Sequence, residues 1–263
     1  MEKLDEQNLI QDPIKSKKVI FYGTCLVDLT APKSGLAAIK ILEKIGHEVS
    51  YPSGQTCCSQ PAFNSGYRKA ARSVAEKQLH LLDKDYPIVV PSGSCAAMLK
   101  HHLVDLFDGH PMKQKAQKIS KQVFEWADFV EKSCTASKTH LKDCGKPTKV
   151  ILHISCHARR EMKVATATKK LLSQLENIEL LETPEEEVCC GFGGTFSIKH
   201  SDISAQMLKQ KINAIESYSP DYLISSDMGC LLQIAGMLKK NSTKKIPKTA
   251  HLADFLWQRI SPK

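Results

Sequence analysis

The sequence lacks several features that would assign it to common protein classes. It has no apolar run near the roughly 20 residues that a membrane-spanning helix needs, so we expect no membrane-spanning segment. Residues 1–18 are polar and charged and have no apolar core of the kind found in signal peptides. We therefore expect a cytoplasmic protein, which partners could bring to the inner membrane, with a flexible N-terminal extension over residues 1–17.

Motifs of nucleotide binding and of nucleophilic catalysis are absent as well. The chain has no GxSxG string, no P-loop and no GxGxxG that opens a predicted helix, so nucleotide or flavin binding has no support. The net charge is +9, but the basic residues are spread along the chain and form no stripe interleaved with aromatic residues. We therefore expect no nucleic-acid partner.

Cysteine, in contrast, is abundant and patterned. Eight of the ten cysteines follow one pattern twice: a single cysteine, then an adjacent pair, then another single cysteine. The intervening segments have 31 and 36 residues in the first copy, and 32 and 39 in the second. The first set is Cys25, Cys57, Cys58 and Cys95, and the second is Cys156, Cys189, Cys190 and Cys230. In a reducing cytoplasm such sets favour metal or redox chemistry over disulfides.

The repeat extends beyond the cysteines. The string Lys-Val-Ile begins seven residues before the first cysteine of each set, and Ala-Asp-Phe recurs late in both halves, at residues 127–129 and 253–255. These landmarks predict two pseudo-symmetric domains, at residues 18–135 and 149–263, joined by a linker at residues 136–148. Cys134 and Cys144 lie outside the pattern, and we interpret them as bystanders.

Each half alternates short apolar runs with segments of helical periodicity. Strands are predicted at residues 19–22, 48–51 and 88–90, and again at 150–154, 178–181 and 222–225, with a helix over residues 65–82 among others. This order indicates an α/β fold in which each half has a small parallel sheet flanked by helices. The single cysteines of both sets follow predicted strands within five residues. Ligands bind at this carboxyl edge in such sheets, so we expect the thiols to gather there.

Four thiols from separate loops can hold either an iron–sulfur cluster or a zinc ion. Zinc sites usually take closely spaced cysteine pairs, so the wide spacing favours a larger iron–sulfur cluster, although no Cys-x-x-Cys-x-x-Cys run is present. Structural zinc in one or both halves and a dithiol–disulfide redox pair remain alternatives.

Further candidates surround the second cysteine pair. The glycines Gly191, Gly193 and Gly194 follow Cys190, and their backbone N–H groups could bind a cofactor. His157 follows Cys156 and is a candidate catalytic proton acceptor, with a purely structural role as the alternative.

Two arginines and another histidine are further possibilities. Arg159 or Arg160 could clamp a carboxylate, although adjacent arginines are also common on surfaces. His251 stands just before the second Ala-Asp-Phe string and could reach the same edge.

Several strings resemble a known family. CCSQPAFNSG at residues 57–66, PSGSC at 91–95, CCGFGGTF at 189–196 and DMGC at 227–230 are similar to motifs of the cysteine-rich CCG-domain family, and within it to its lactate-utilisation branch. The wider family includes a heterodisulfide reductase subunit. The resemblance runs from about residue 17 to residue 257 and implies two pseudo-symmetric α/β domains with an iron–sulfur role.

The resemblance also implies an activity and partners. It implies an iron–sulfur subunit of an NAD-independent system that oxidises L-lactate to pyruvate, with another small 2-hydroxy acid as the alternative substrate. The implied partners are a ferredoxin-type iron–sulfur subunit and a third small subunit. A zinc-stabilised scaffold subunit and a dithiol or heterodisulfide-type reductase subunit are the alternative functions.

The sequence departs from the family pattern at three positions. The wider family's motif ends in Cys-x-x-Cys, but its first cysteine is replaced by Ser92 in one half and by Asp227 in the other. Four thiols in each half match one conventional [4Fe–4S] cluster, so we expect one or two such clusters. Ser59 replaces the glycine that usually follows the first cysteine pair. The first site could therefore be weakened, or hold zinc or no metal, and the second half is the stronger candidate for an intact cluster.

Overall fold

The computed structural model of the protein describes residues 12–184, 186–241 and 245–261. Most of the predicted N-terminal extension, residues 1–11, lies outside these ranges. The described part of it forms one turn of 3-10 helix, Pro13–Lys15, which contacts the eighth α-helix of the chain. The carbonyl oxygen of Ser16 lies 2.8 Å from His47 Nδ1, so this segment is bonded to the first half of the protein.

The first half contains four strands, eight α-helices and one π-helical turn at Met98–His102. In chain order they are β1 (Lys18–Phe21), α1 (Cys25–Thr30), α2 (Pro32–Lys44), β2 (Glu48–Ser50), α3 (Gln60–Asn64), α4 (Arg68–Leu82), β3 (Ile88–Val90), α5 (Gly93–Ala97), α6 (Leu103–Leu106), α7 (Lys113–Gln122), β4 (Val123–Glu125) and α8 (Trp126–Ser137).

The second half repeats the strand arrangement with fewer helices. Its elements are β5 (Thr148–Leu152), α9 (Cys156–Arg160), α10 (Ala165–Leu172), β6 (Ile178–Leu180), α11 (Phe196–Lys199), α12 (Ser201–Tyr218), β7 (Tyr222–Ser225), α13 (Met228–Asn241), β8 (Lys248–His251) and α14 (Leu252–Ile260). No helix within the described ranges is both long and apolar enough to cross a membrane.

Both sheets are parallel and have the same strand order. The first sheet is ordered β2-β1-β3-β4 and the second β6-β5-β7-β8. The predicted α/β class, the two small parallel sheets and the pseudo-symmetry are therefore confirmed. The sequence analysis found three strands in each half and missed the fourth, β4 and β8.

One predicted helix was too long. The segment 65–82 does not form a single helix, because Gly66 takes a φ of +80° and separates α3 from α4. A positive φ is incompatible with continuing a right-handed helix, and glycine adopts it without steric cost. The break matters for the site because it leaves α3 as a short separate helix directly after the first cysteine pair.

The two halves share a continuous apolar core. Helix α14 of the second half packs on α2 of the first, and α8 of the first half packs on α10 of the second. These two contacts are equivalent in the repeat, so an approximate twofold axis relates them. One buried apolar cluster includes residues of both halves, such as Phe21, Phe129, Leu152 and Phe255, and each half adds an outer cluster of its own. Burial between the halves therefore holds them in one orientation.

The segment between α8 and β5 is fixed to the second half by Arg259. Its Nη2 donates to Asp143 Oδ2 at 2.6 Å and its Nε to Asp143 Oδ1 at 2.9 Å. The backbone N–H of Cys144 donates to the carbonyl of Arg259 at 2.7 Å. Both charged side chains are nearly inaccessible, and a paired and hydrogen-bonded arrangement is what makes such burial tolerable.

Candidate metal centres

The cysteines of each set lie at the carboxyl edge of their sheet. Cys25 opens α1 just beyond β1, and Cys95 lies in α5 just beyond β3. Strands β1 and β3 are neighbours in the sheet. The connection from β1 leads to β2 on one side, and the connection from β3 leads to β4 on the other side. Such a reversal opens a crevice at the carboxyl ends of the strands. Cys156 and Cys230 stand at the equivalent crevice between β5 and β7.

The adjacent pair in the first half is brought to the crevice by its loop. The Gln55 side chain donates to the carbonyl of Phe21 at 2.9 Å and accepts from the N–H of Gly23 at 2.9 Å. Gln78 Nε2 donates to Thr56 Oγ1 at 2.7 Å from α4. These bonds tie the segment before Cys57 to the end of β1 and to the helix behind it.

The four thiols of the first set form a connected chain. Side-chain contacts join Cys25 to Cys57, Cys57 to Cys58, and Cys58 to Cys95, the last with an Sγ–Sγ distance of 3.2 Å. Hydrogen bonds from the thiols of Cys25 and Cys58 lower the pKa of Cys57 to about 3. The same bonds raise the pKa of Cys25 and Cys58. The set therefore concentrates thiolate charge on Cys57, and the thiolate is the form that binds metals.

The second set has the same connectivity. Contacts join Cys156 to Cys189, Cys189 to Cys190, and Cys190 to Cys230. The pKa of Cys189 is lowered by hydrogen bonds from the two adjoining thiols, and the N–H of Gly191 lies 3.4 Å from its sulfur. In both halves, hydrogen bonds from the adjoining thiols thus lower the pKa of the first cysteine of the adjacent pair.

All eight cysteines line one cavity of about 300 Å³ between the halves. The two carboxyl edges face each other across it, since α5 packs on α9 and α1 packs on α13. In each set the second cysteine of the pair and the last cysteine are buried, and the other two are half-buried. The structure therefore brings together the two sets that the sequence analysis treated as separate sites.

The polar groups around the thiols fit a bound metal centre. Several buried side chains near the cysteines have polar atoms with no hydrogen-bond partner among the described residues: Thr24 Oγ1, Ser59 Oγ, Asp227 Oδ2 and both ring nitrogens of His153. A buried polar atom without a partner costs about 1–3 kcal/mol. The sulfides and thiolates of a bound cluster would accept hydrogen bonds from the hydroxyls of Thr24 and Ser59 and from a ring N–H of His153. The donor sets and their surroundings thus suit an iron–sulfur centre in each half.

Ser59 keeps the backbone conformation of the glycine that it replaces. It has a φ of +73°, close to the +78° of Gly191 at the equivalent position. This left-handed conformation turns the chain sharply after Cys58, so both cysteines of the pair reach the same crevice. The substitution therefore strains the first loop but leaves its path unchanged.

The predicted cofactor-binding glycines lie in two places. Gly193 and Gly194 line the cavity, with φ values of +52° and +66°. Gly191 is behind the lining, where a Cβ atom would come within 2.7 Å of the carbonyl oxygen of Ser204. The loop thus needs glycine at Gly191 for both its conformation and its packing.

His157 lines the cavity and belongs to a chain of polar side chains. Its Nδ1 lies 3.5 Å from Cys156 Sγ, and its Nε2 lies 3.7 Å from Glu161 Oε1. The other oxygen of Glu161 lies 2.7 Å from Nε2 of His102, which comes from the first half. Sequence reasoning missed both residues: Glu161 lies four positions after His157 in the same half, whereas only the packing of the halves brings His102 to it.

The other predicted residues lie away from the cavity lining. Arg159 pairs with Glu186 at 2.5 Å and with Glu187 at 3.3 Å. His251 caps α14 and places its Nε2 2.9 Å from the carbonyl of Pro91. Arg160 is exposed and does not line the cavity.

Cys134 and Cys144 are outside the cavity too. Cys134 is buried in α8, where burial raises the pKa of its thiol to about 11. Cys144 is exposed in the segment after α8.

His153 is a second group that the sequence analysis missed. It follows β5 and is buried, and one of its ring nitrogens lies within 4.8 Å of the sulfurs of Cys190 and Cys230. Burial, and then the nearby Lys211, lower its pKa to about 3. The available signal was a polar residue in an apolar run, three positions before Cys156.

Comparison with known proteins agrees with this architecture. The family model of the cysteine-rich domain, CCG, matches residues 19–100 and 150–235, one match in each half. Lactate utilization protein A of Macrococcus caseolyticus is 37% identical over 244 residues, covering 92% of this chain and 97% of that protein. Lactate utilization protein A of a Geobacillus species is 38% identical over 242 residues, covering 92% of this chain and all of that protein.

The chain belongs to the lactate utilization protein A family of CCG-domain proteins. The resemblance found in the sequence is therefore confirmed. The cysteine-rich domains coincide with the two halves whose thiols meet at the cavity.

The fold is also similar to that of a solved structure of a hypothetical protein from Helicobacter pylori. The TM-score is 0.60 and the sequences are 10% identical. The match covers 94% of this chain and 49% of that one, so this chain spans about half the length of the solved protein. At this identity the similarity concerns the fold alone.

Proposed function

We propose that the chain is an iron–sulfur subunit of an NAD-independent system that oxidises L-lactate to pyruvate. The observation that carries the proposal is the convergence of two equally connected four-thiol sets on one cavity. The names of the relatives, lactate utilization protein A, supply the substrate class. The companions that we propose are a ferredoxin-type iron–sulfur subunit and a third small subunit, in the cytoplasm.

Each set would hold one centre, which we propose to be [4Fe–4S] because that cluster takes four cysteine ligands. Cys25, Cys57, Cys58 and Cys95 would hold the first centre, and Cys156, Cys189, Cys190 and Cys230 the second. When bound, such centres supply carriers for the two electrons that leave lactate as it becomes pyruvate. We place them in domains that span residues 18–135 and 149–263.

His157 is the proposed acceptor of the lactate hydroxyl proton. It is the histidine in the cavity lining, and Glu161 and His102 support it from behind. No Lys or Arg is among the cavity-lining residues that the structure describes. The substrate carboxylate would therefore need a partner other than a fixed side-chain cation, which disfavours the predicted clamp by Arg159 or Arg160.

Metal analysis of anaerobically purified protein tests the cofactor. We expect iron, acid-labile sulfide, visible cluster absorbance and an EPR signal on reduction. Cys58→Ala and Cys190→Ala should each remove about half of the iron, because each disables one four-thiol set. Cys134→Ala and Cys144→Ala are matched controls outside the cavity and should retain all of it. Stoichiometric zinc without iron would overturn the cluster assignment.

The substrate needs a separate experiment with the loaded complex. L-lactate added anaerobically to the chain and its two companions should reduce the centres and yield pyruvate. His157→Gln should keep its metal but lower turnover by about 10²–10⁴-fold, the usual contribution of a general base. Full metal content with no reduction by lactate would reject the lactate activity while leaving the metal centres in place.

A further inference from the structure

The buried imidazole of His153 differs from every other histidine near the site. His102 and His157 have polar partners, and His251 uses both ring nitrogens in hydrogen bonds. His153 is 3% exposed, and neither of its nitrogens has a hydrogen-bond partner among the described residues. A buried imidazole offers one lone pair and one N–H, so two polar functions are left without a partner. This arrangement is costly unless a bound group meets the ring.

The ring faces the second set of thiols. One of its nitrogens and the sulfurs of Cys190 and Cys230 lie within 4.8 Å of one another. Both cysteines are buried and belong to the outer apolar core of the second half. Nitrogen and sulfur donors converging in a buried place form a ligand set that suits zinc or an iron–sulfur centre.

The equivalent position in the first half shows that this is not a requirement of the fold. Tyr22 stands three residues before Cys25, as His153 stands three residues before Cys156. Tyr22 is also buried, but its hydroxyl donates to the carbonyl of Thr56 at 2.8 Å. The first half therefore satisfies the polar atom of this side chain within the protein, whereas the second half leaves a nitrogen donor beside the thiols.

We propose that a ring nitrogen of His153 takes one of the four ligand positions of the second centre, whereas the first centre has only sulfur ligands. It binds alongside Cys190 and Cys230 and in place of one half-buried thiol, Cys156 or Cys189. The proposal rests on the proposed metal-binding function and makes the two centres chemically different. Imidazole is a neutral ligand and thiolate an anionic one, so histidine ligation raises a cluster's reduction potential. The second centre is then the better electron acceptor of the two.

Pulsed EPR on the reduced full-length chain tests the nitrogen ligand directly. The Cys58→Ala background removes the first centre, so the remaining signal comes from the second. We expect a nitrogen hyperfine coupling that changes when histidine is labelled with ¹⁵N and disappears in His153→Cys. Tyr22→Phe in the same Cys58→Ala background is the matched control and should leave the coupling unchanged.

The His153→Cys variant keeps a metal-binding side chain at position 153, so the centre should still assemble. We expect it to retain iron and sulfide and to lower the reduction potential of the second centre, because a thiolate replaces a neutral nitrogen. A coupling that survives this substitution, or is absent from the labelled chain, would overturn the histidine ligand while the metal centres stand. Absence of any bound iron in the wild-type chain would overturn both proposals.

Discussion

Ser92 Oγ donates a hydrogen bond of 2.7 Å to Asp227 Oδ1 across the interface between the halves. Both residues are buried, and each stands three residues before the last cysteine of its set. Ser94 adds its N–H at 3.1 Å and its hydroxyl at 2.6 Å to the same oxygen. The two equivalent positions of the repeat thus meet as donor and acceptor at the edge of the cavity, and the pair joins the halves there.

Removal of the Asp227 carboxylate should weaken the association of the halves. Asp227→Ala leaves the three donors from Ser92 and Ser94 without their acceptor, and we expect a loss of about 3 kcal/mol in the free energy of unfolding, since hydrogen bonds to charged groups are strong. Asp227→Asn retains an acceptor oxygen and should lose less. Urea unfolding of the metal-free chain measures the difference. Glu43→Ala, at an exposed position, is the control and should have a free energy of unfolding within about 0.5 kcal/mol of wild type. An Asp227→Ala protein that is destabilised no more than this control would contradict the prediction.

Gly93 sets how closely the two carboxyl edges approach. A Cβ atom there would overlap the Ala158 side chain and lie 2.9 Å from Ala158 Cα, which belongs to the other half. We expect Gly93→Ala to cost about 1–3 kcal/mol by overpacking. Gly236→Ala is the matched change in α13, where a Cβ atom meets nothing within 4 Å. It should stabilise the protein by up to about 1 kcal/mol, because alanine favours a helix. Thermal unfolding of both variants measures the change in Tm. Equal changes in Tm would rule out the close approach of Gly93 to Ala158.

Substitution of the left-handed residue after each cysteine pair, Ser59 or Gly191, should change stability to different extents in the two halves. Ser59→Gly relieves a strained φ of +73° but adds freedom to the unfolded chain, so we expect a stability change within about 1 kcal/mol. Gly191→Ala combines a positive φ with a Cβ atom 2.7 Å from the Ser204 carbonyl oxygen. We expect it to lower stability by more than about 1 kcal/mol and to reduce iron bound by the second half. Iron content and urea unfolding test both variants, and a Gly191→Ala protein with full iron and unchanged stability would refute this account.

Titration of Glu125 should make the protein less stable as the pH rises. Burial raises the pKa of its carboxyl to about 8, and the nearby carboxylates of Asp227 and Asp128 add to the shift. The unfolded chain ionises this group near its ordinary pKa of about 4.3, so the folded state binds the extra proton between these values. The contribution of the Glu125 carboxyl to folding stability is therefore complete below its pKa in the unfolded chain, and it is lost as the pH rises through about 8.

Glu125→Gln removes this titration and keeps an oxygen that can cap α8. We expect the free energy of unfolding of the wild type, relative to that of the glutamine variant, to fall as the pH rises from about 5 to about 9. Most of the interval between the unfolded and folded pKa values lies in this range. Urea unfolding at both pH values measures it, with Glu43→Gln as an exposed control. A stability difference that stays constant across the range would show that Glu125 ionises normally in the fold.

The sequence predicted the strands that carry the cysteines better than the rest of the fold. Strands β1, β3, β5 and β7 have continuous buried apolar runs, which are recognisable without an alignment. Strands β4 (Val-Phe-Glu) and β8 (Lys-Thr-Ala-His) are as short as β3 and β7, but they include polar residues and lead directly into α8 and α14. These edge strands have no continuous apolar run, and pairing with β3 and β7 defines them.

The candidate site was partly accessible in the same way. Cysteine spacing was enough to group the thiols in two sets, because the repeated strand–loop pattern brings equivalent residues to equivalent edges. His153, Glu161 and His102 were not predicted, since none of them belongs to the cysteine spacing and His102 comes from the other half. Their roles depend on which polar atoms find partners after packing.

The amino-acid sequence by itself determined the duplicated α/β pattern and the two sets of four cysteines, because strand burial and loop length are local properties. Only the tertiary structure decided that both sets line one cavity and that Ser92 bonds to Asp227. The physical reason is the shared apolar core: burial of α2 against α14 and of α8 against α10 orients the halves so that their carboxyl edges face each other. That orientation arises from contacts between residues far apart in the chain.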